Sequence, residues 1–116
     1  MHRLLVTGGA GFIGSNFVRM MAPKHSDWQV VVYDKMTYAG NQDNLEQVSQ
    51  NVNFKFVRGD IADHRAVART LQANTIDMVV NFAAETHVDR SILDPDAFIH
   101  TNSEGVYVLL EESRKH

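Results

Sequence analysis

Eight residues near the start of the chain, Thr7-Gly8-Gly9-Ala10-Gly11-Phe12-Ile13-Gly14, have the spacing of a turn that cradles phosphate. Gly9, Gly11 and Gly14 fit G-x-G-x-x-G, and Gly8, Gly11 and Gly14 fit the looser G-x-x-G-x-x-G on the same turn. Glycine serves three geometric needs there: a tight turn, a close approach of backbone to pyrophosphate, and close packing of helix on strand. The helix that opens at such a turn offers unpaired N–H groups and the positive end of its dipole to an anion. A second group completes the pattern. Asp34 lies 20 residues beyond Gly14, the separation at which a carboxylate meets the adenosine ribose of a dinucleotide. A turn with no ligand and a solvated Asp34 would be the plainer explanation. Both halves of the fingerprint together favour dinucleotide binding.

These groups need particular elements to hold them. Apolar, β-branched segments at Arg3–Val6, Gln29–Tyr33, Asn53–Val57 and Asp77–Asn81 predict four strands. Helical patterns fall between and after them. The first covers Phe12–Met21 and is expected to end at Pro23. A weak one lies around Asn41–Ser49. Asp63–Gln72 places Ala66, Val67 and Leu71 on one face, with Asp63 as its cap. The last, Asp96 to Arg114, has Pro95 near its start and Val106, Leu109 and Leu110 on a stripe. Alternating strands and helices predict a doubly wound α/β fold around a parallel sheet, with right-handed crossovers. The polar segment Lys35–Asn44 is long for a strand-to-helix connection. Because Asp34 begins it, it is expected to border the ligand.

Size and charge narrow the function. The chain has 116 residues, enough for one compact domain, and a net charge of -3 that makes no electrostatic case for nucleic acid or an anionic membrane. No apolar run approaches a membrane span of roughly 20 residues. The first strand is predicted to begin almost at once, so no signal peptide is expected. Cysteine is absent, so thiolate nucleophiles, disulfides and Cys-based metal sites are excluded. A cytoplasmic protein is expected.

Four stretches carry a resemblance that covers the whole chain. Thr7–Gly14 resembles the extended short-chain dehydrogenases/reductases, and is shared with epimerases and decarboxylases of that family. Asp34-Lys35-Met36-Thr37-Tyr38-Ala39-Gly40-Asn41, Gly59-Asp60-Ile61 and Ala83-Ala84-Glu85-Thr86-His87-Val88-Asp89-Arg90-Ser91-Ile92 resemble more narrowly its dTDP-glucose 4,6-dehydratases, enzymes of rhamnose-type deoxyhexose synthesis. The Thr37-Tyr38-Ala39-Gly40 run argues against an epimerase or decarboxylase.

The resemblance implies a partial Rossmann fold, NAD as cofactor and a role for each matching residue. Gly8, Gly11 and Gly14 would form the turn, and the backbone of Phe12 and Ile13 would meet the pyrophosphate. Asp34 would hold the ribose hydroxyls, with Lys35, Met36 and Thr37 along the adenosine. Asp60 and Ile61 would border the adenine. Phe82, Ala83, Ala84, Glu85 and Thr86 would run under the cofactor toward the nicotinamide, and Thr101 would sit beside it. Thr86 would also meet the hexose of dTDP-glucose. That position is often serine in the family, and threonine keeps the hydroxyl while adding a methyl. A carboxylate at Asp34 also implies NAD in preference to NADP, since a 2′-phosphate would face it.

Glu85, His87, Asp89 and Arg90 form a dense titratable cluster. Acid/base work by His87 and a metal site are both conceivable readings. The cluster lacks a clear third ligand, and pairing of His87, Asp89 and Arg90 to hold their loop is favoured over chemistry.

The family's reaction oxidises C4 of the hexose, loses water across C5–C6 and returns the hydride to C6. It uses a Tyr-x-x-x-Lys pair and an adjacent Asp-Glu. None of these is in the chain: Tyr33, Tyr38 and Tyr107 have no lysine four positions on, and Glu111-Glu112 falls in a helix. No catalytic residue is therefore assigned, and the chain alone is expected to be inactive. Residues 1–116 read as the amino-terminal part of an NAD-binding domain, whose fourth strand would pair with a fifth. The resemblance implies a homodimer through a four-helix bundle to which the last helix contributes, with Phe98, Val106, Tyr107, Leu109 and Leu110 as its apolar groups. A non-catalytic dinucleotide-binding module is the reading from a different class that stays open.

Overall fold

The computed structural model describes residues 2–35, 45, 46, 48, 51–83, 96 and 100–116. Four strands form one parallel sheet: β1 (Arg3–Thr7), β2 (Gln29–Asp34), β3 (Phe54–Arg58) and β4 (Met78–Asn81). Their order is β3-β2-β1-β4. Leu4 stands in register with Val30 and with Met78, and Val30 with Phe54. Helix α1 (Phe12–Lys24) links β1 to β2, and α2 (His64–Ala73) links β3 to β4. A π-helical segment, His100–Gly105, leads into α3 (Val106–Lys115).

The strand period of two divides the core between two faces. Leu4, Val6, Val30 and Val32 pack with Val18 and Ala22 of α1, and with Leu45 and Val48. Leu5, Val31 and Tyr33 pack on the other face with Val67 and Leu71 of α2 and Val108 and Leu109 of α3. β1 and β2 are therefore apolar on both faces, the mark of a parallel sheet covered on each side. β3 and β4, at the rims, are only partly covered. The α/β expectation holds, with a doubly wound sheet.

Several boundaries differ from the sequence reading, each for a local reason. Pro23 lies inside α1 instead of ending it. Pro23 loses its bond back to Arg19 and crowds that carbonyl, but Lys24 is all of the helix that follows, so little structure is displaced. The His25 N–H then closes the helix on the Met21 carbonyl at 3.0 Å. β3 starts at Phe54, because Asn53 closes a turn: its side-chain amide donates to the Trp28 carbonyl at 2.9 Å and the Ala22 carbonyl at 3.1 Å. β4 starts at Met78, because the Asp77 carboxylate turns back onto the Arg3 N–H. Asp63 caps α2 as expected, accepting from the Ala66 N–H at 3.1 Å. Near the expected Asn41–Ser49 helix, Leu45 and Val48 are buried and joined by a single turn, while most of that span lies outside the described residues.

The last helix is not one continuous α-helix. Its π-helical start meets α3 at Gly105, where a Cβ would strike Ile61 of the second core face. Its buried stripe is also rotated from the expected Val106, Leu109 and Leu110. Val108, Leu109 and Glu112 are buried, at helical spacing, while Val106, Tyr107 and Leu110 face solvent. A glutamate can occupy the buried stripe because His64 Nδ1 and Lys115 Nζ lie 3.7 and 3.8 Å from its carboxylate. Phe98 lies outside the described residues.

Candidate dinucleotide site

The carboxyl ends of the four strands come together at one edge of the sheet, where parallel α/β folds bind ligands. The ends of β1 and β4 are tied to each other. At the end of β1 the Thr7 hydroxyl donates to Asn81 Oδ1 at 2.5 Å, and the Phe82 N–H donates to the Thr7 carbonyl at 2.8 Å. Asn81 Oδ1 also accepts from the Ala83 N–H at 3.0 Å. The chain leaving β4 is thus fixed beside the glycine turn.

That turn needs its glycines at named places. Gly8 has φ +68°, in the left-handed region, and a Cβ there would meet the backbone of Phe82 and Ala83 at 2.5–2.6 Å. At Gly14 a Cβ would run into the Gly8 carbonyl oxygen. The Gly8 N–H donates to the Tyr33 carbonyl at 2.9 Å, and the Gly11 N–H to the Gly8 carbonyl at 3.1 Å. Gly11 is the N-cap of α1 and supplies no side-chain cap to the first turn. Phe12 and Ile13 are mostly exposed at that helix start. A helix N-terminus that no side chain caps, reached through a compressed glycine turn, fits an anionic diphosphate.

Asp34 ends β2 beside this turn. It is 8% exposed, and Oδ2 accepts from the Ala10 N–H at 2.9 Å. The acidic residue is therefore held by the turn itself. One residue on, Lys35 Nζ lies 3.4 Å from Asp60 Oδ2, past the end of β3. Asp60 is itself anchored: Oδ1 accepts from the Ala62 N–H at 2.9 Å, and its carbonyl accepts from the Tyr33 hydroxyl at 2.7 Å. The Gly59 N–H donates to the Asp34 carbonyl at 3.0 Å. Ile61 sends its side chain into the second core face and is 4% exposed.

Gly8, Gly11, Phe12, Ile13, Gly14, Asp34, Lys35, Asp60, Phe82 and Ala83 thus gather along one sheet edge, with Ile61 following Asp60. Met36, Thr37, Ala84, Glu85 and Thr86 lie outside the described residues, as do His87, Asp89 and Arg90 and the side chain of Thr101. Sequence reasoning passed over Thr7, Ala10, Tyr33 and Asn81. A polar residue closing an apolar strand, as Thr7 and Asn81 do, was the available signal. Ala10 acts through its backbone N–H and left none.

Tyr33 has a measurable consequence. Burial pushes its hydroxyl up to about 12, helped by the Asp63 and Asp60 carboxylates and opposed by Arg69. The folded state therefore keeps a proton that the unfolded chain releases near pH 10. This contribution to stability is whole below pH 10 and is lost as pH rises toward 12. Urea melts across that window should show stability falling by on the order of 2 kcal/mol. Tyr33→Phe should remove most of the slope. An unchanged slope in the variant would assign it to another group.

Comparison with known proteins shows the family and the fold. A family model described as GDP-mannose 4,6 dehydratase matches residues 5–116. A dTDP-glucose 4,6-dehydratase of Streptomyces niveus is 50% identical over 98% of this chain and 34% of that protein. Among solved structures, a dTDP-glucose 4,6-dehydratase of Streptomyces venezuelae with NAD bound is 48% identical, with a TM-score of 0.88 over 97% of this chain and 36% of that one. A UDP-glucose 4-epimerase of Brucella ovis in complex with NAD is 32% identical, with a TM-score of 0.82 over 99% of this chain and 33% of that one. The chain spans about a third of the length of the relatives it matches.

Proposed function

The chain belongs to the GDP-mannose 4,6 dehydratase family, and from that premise we propose that it is the cofactor-binding portion of an NAD-dependent nucleotide-sugar 4,6-dehydratase, a lyase acting on dTDP-glucose. The observation that carries the reading is the join between the two halves of the site. An uncapped helix start for the diphosphate and a buried carboxylate for the ribose are linked by the Ala10 N–H. Greater identity to the Streptomyces venezuelae dehydratase than to the Brucella ovis epimerase favours dehydration over epimerisation.

When bound, NAD would accept the hydride from a sugar carbon whose hydroxyl loses its proton. The chain's own residues bind and orient. The first turn of α1 would receive the diphosphate, and Asp34 would accept from the adenosine ribose. On this reading Phe82 to Thr86 would serve the nicotinamide side of the cofactor, and the Thr86 hydroxyl would serve the hexose. Residues 1–116 are the amino-terminal part of the NAD-binding domain. The tyrosine–lysine pair and the adjacent Asp-Glu that the family's reaction uses are not among these residues. The reading places the protein in the cytoplasm, in rhamnose-type sugar synthesis. No helix among the described residues is long and apolar enough to cross a membrane. Exposed Val106, Tyr107 and Leu110 on α3 support a homodimer through that helix.

Calorimetric titration of the 116-residue chain with NAD and with NADP tests the cofactor assignment. NAD is expected to bind the more tightly. At an effective dielectric near 20, a 2′-phosphate meeting Asp34 is repelled by a few kcal/mol at contact. Equal affinities, or tighter NADP, would overturn it.

A further inference from the structure

The adenosine end of the site carries two cations beside the carboxylate that selects against a 2′-phosphate. Lys35 follows Asp34 directly, and Arg58 stands in register with Asp34 on β3. A cation next to the ribose is what a dinucleotide site uses to accept a 2′-phosphate. A lysine adjoining the selecting carboxylate would therefore blunt its selectivity.

Lys35 has been given another partner. Its ammonium lies 3.4 Å from Asp60 Oδ2, across the gap between the ends of β2 and β3. The acceptor is prepared before the lysine arrives. The Ala62 N–H holds the other carboxylate oxygen, and the Tyr33 hydroxyl holds the Asp60 carbonyl. Gly59 lets this turn close on the Tyr33 ring, where a Cβ would come within 2.5 Å of the hydroxyl. Tyr33 is the residue before Asp34, so the strand that delivers the selecting carboxylate also fixes the group that captures the lysine.

We propose that Asp60 is a positioning residue for nucleotide selection: by holding Lys35 toward β3, it keeps that ammonium off the adenosine 2′ position and leaves the choice to Asp34. This rests on the reading of the site as an NAD site. The pair is partly exposed, with Lys35 48% and Asp60 25% accessible, so it directs the lysine without adding much stability.

The test is the ratio of NADP to NAD affinity, measured by calorimetry on the 116-residue chain and its variants. Asp60→Asn keeps an oxygen for the Ala62 N–H and removes the charge. It should raise the ratio about fivefold, near the limit of what an exposed ion pair can hold. Adding Lys35→Gln to Asp60→Asn should return the ratio toward the parent value, whereas adding Arg58→Gln should not. Lys35→Gln alone should not raise it. A thermal melt of each variant accompanies the titrations, and the lysine variant tests the pair from the other end should Asp60→Asn melt early. An unchanged ratio in Asp60→Asn with normal NAD binding would overturn this proposal alone. So would a rise that survives loss of Lys35, or one that depends on Arg58. Failure of the parent chain to bind either nucleotide would overturn the NAD reading, and this one with it.

Discussion

Gly14→Ala is expected to destabilise the fold by about 1–3 kcal/mol and to remove measurable NAD binding. The added Cβ would collide with the Gly8 carbonyl oxygen, and the Gly8 carbonyl carbon and Gly9 Cα lie 2.9 Å from it. All three are backbone atoms, so no side chain can swing aside. Relief requires α1 to lift from the turn. Lifting strains the Gly11-to-Gly8 bond and the Gly8-to-Tyr33 bond together. It also moves the first turn of α1, whose N–H groups are the proposed diphosphate contact. Stability and affinity should therefore fall together. Urea melts and calorimetry on the same preparation measure both. A variant that melts like the parent and still binds NAD would show that the turn is looser than its geometry indicates, and would remove the main reason for a glycine at that position.

Asp34→Ala should weaken NAD roughly ten- to a hundredfold, and leave NADP much less affected. Hydrogen bonds to a charged group contribute roughly 1.5–3 kcal/mol, and the factor follows from one such loss. The carboxylate has two duties in this fold. It accepts from the Ala10 N–H at 2.9 Å, and it is the acidic group at the ribose position of the fingerprint. Alanine leaves a buried N–H without that acceptor, so a loss of about 1–3 kcal/mol in stability should accompany the loss of affinity. Asp34→Asn separates the two duties. Its amide oxygen can still serve Ala10, so stability should largely return, while the NADP penalty shrinks because the charge is gone. Unaltered NAD affinity in Asp34→Ala would remove this residue from the site and with it the second half of the fingerprint.

The parts of this protein that were legible in its sequence are those encoded by neighbours along the chain. The glycine turn, the strand before it and the helix after it lie within about two dozen residues. Each is specified by periodicity and by glycines that the turn geometry demands. The Asp63 cap is a contact across three residues, and it was readable for the same reason. Asp34 was found by its fixed separation from the turn. The α/β class followed from alternation of strands with helices.

What the sequence left open was which groups meet across long stretches of chain. Ala10 and Asp34 are joined through a backbone N–H that no side-chain pattern announces. Thr7 meets Asn81 only because β4 lies beside β1. Lys35 finds Asp60 because β3 lies on the other side of β2. On α3, an apolar count favoured Val106 and Leu110, while packing chose Val108 and Glu112. A helix turns its face to fit the surface it lands on, and His64 makes a glutamate admissible there. Pro23 persisted in α1 because the cost of its missing bond depends on how much helix follows it. Spacing along one chain determined the kinds of element and the chemistry of the turn. The order of strands in the sheet, which brings residues some 24 to 74 positions apart into hydrogen-bonding distance, was decided by tertiary packing alone.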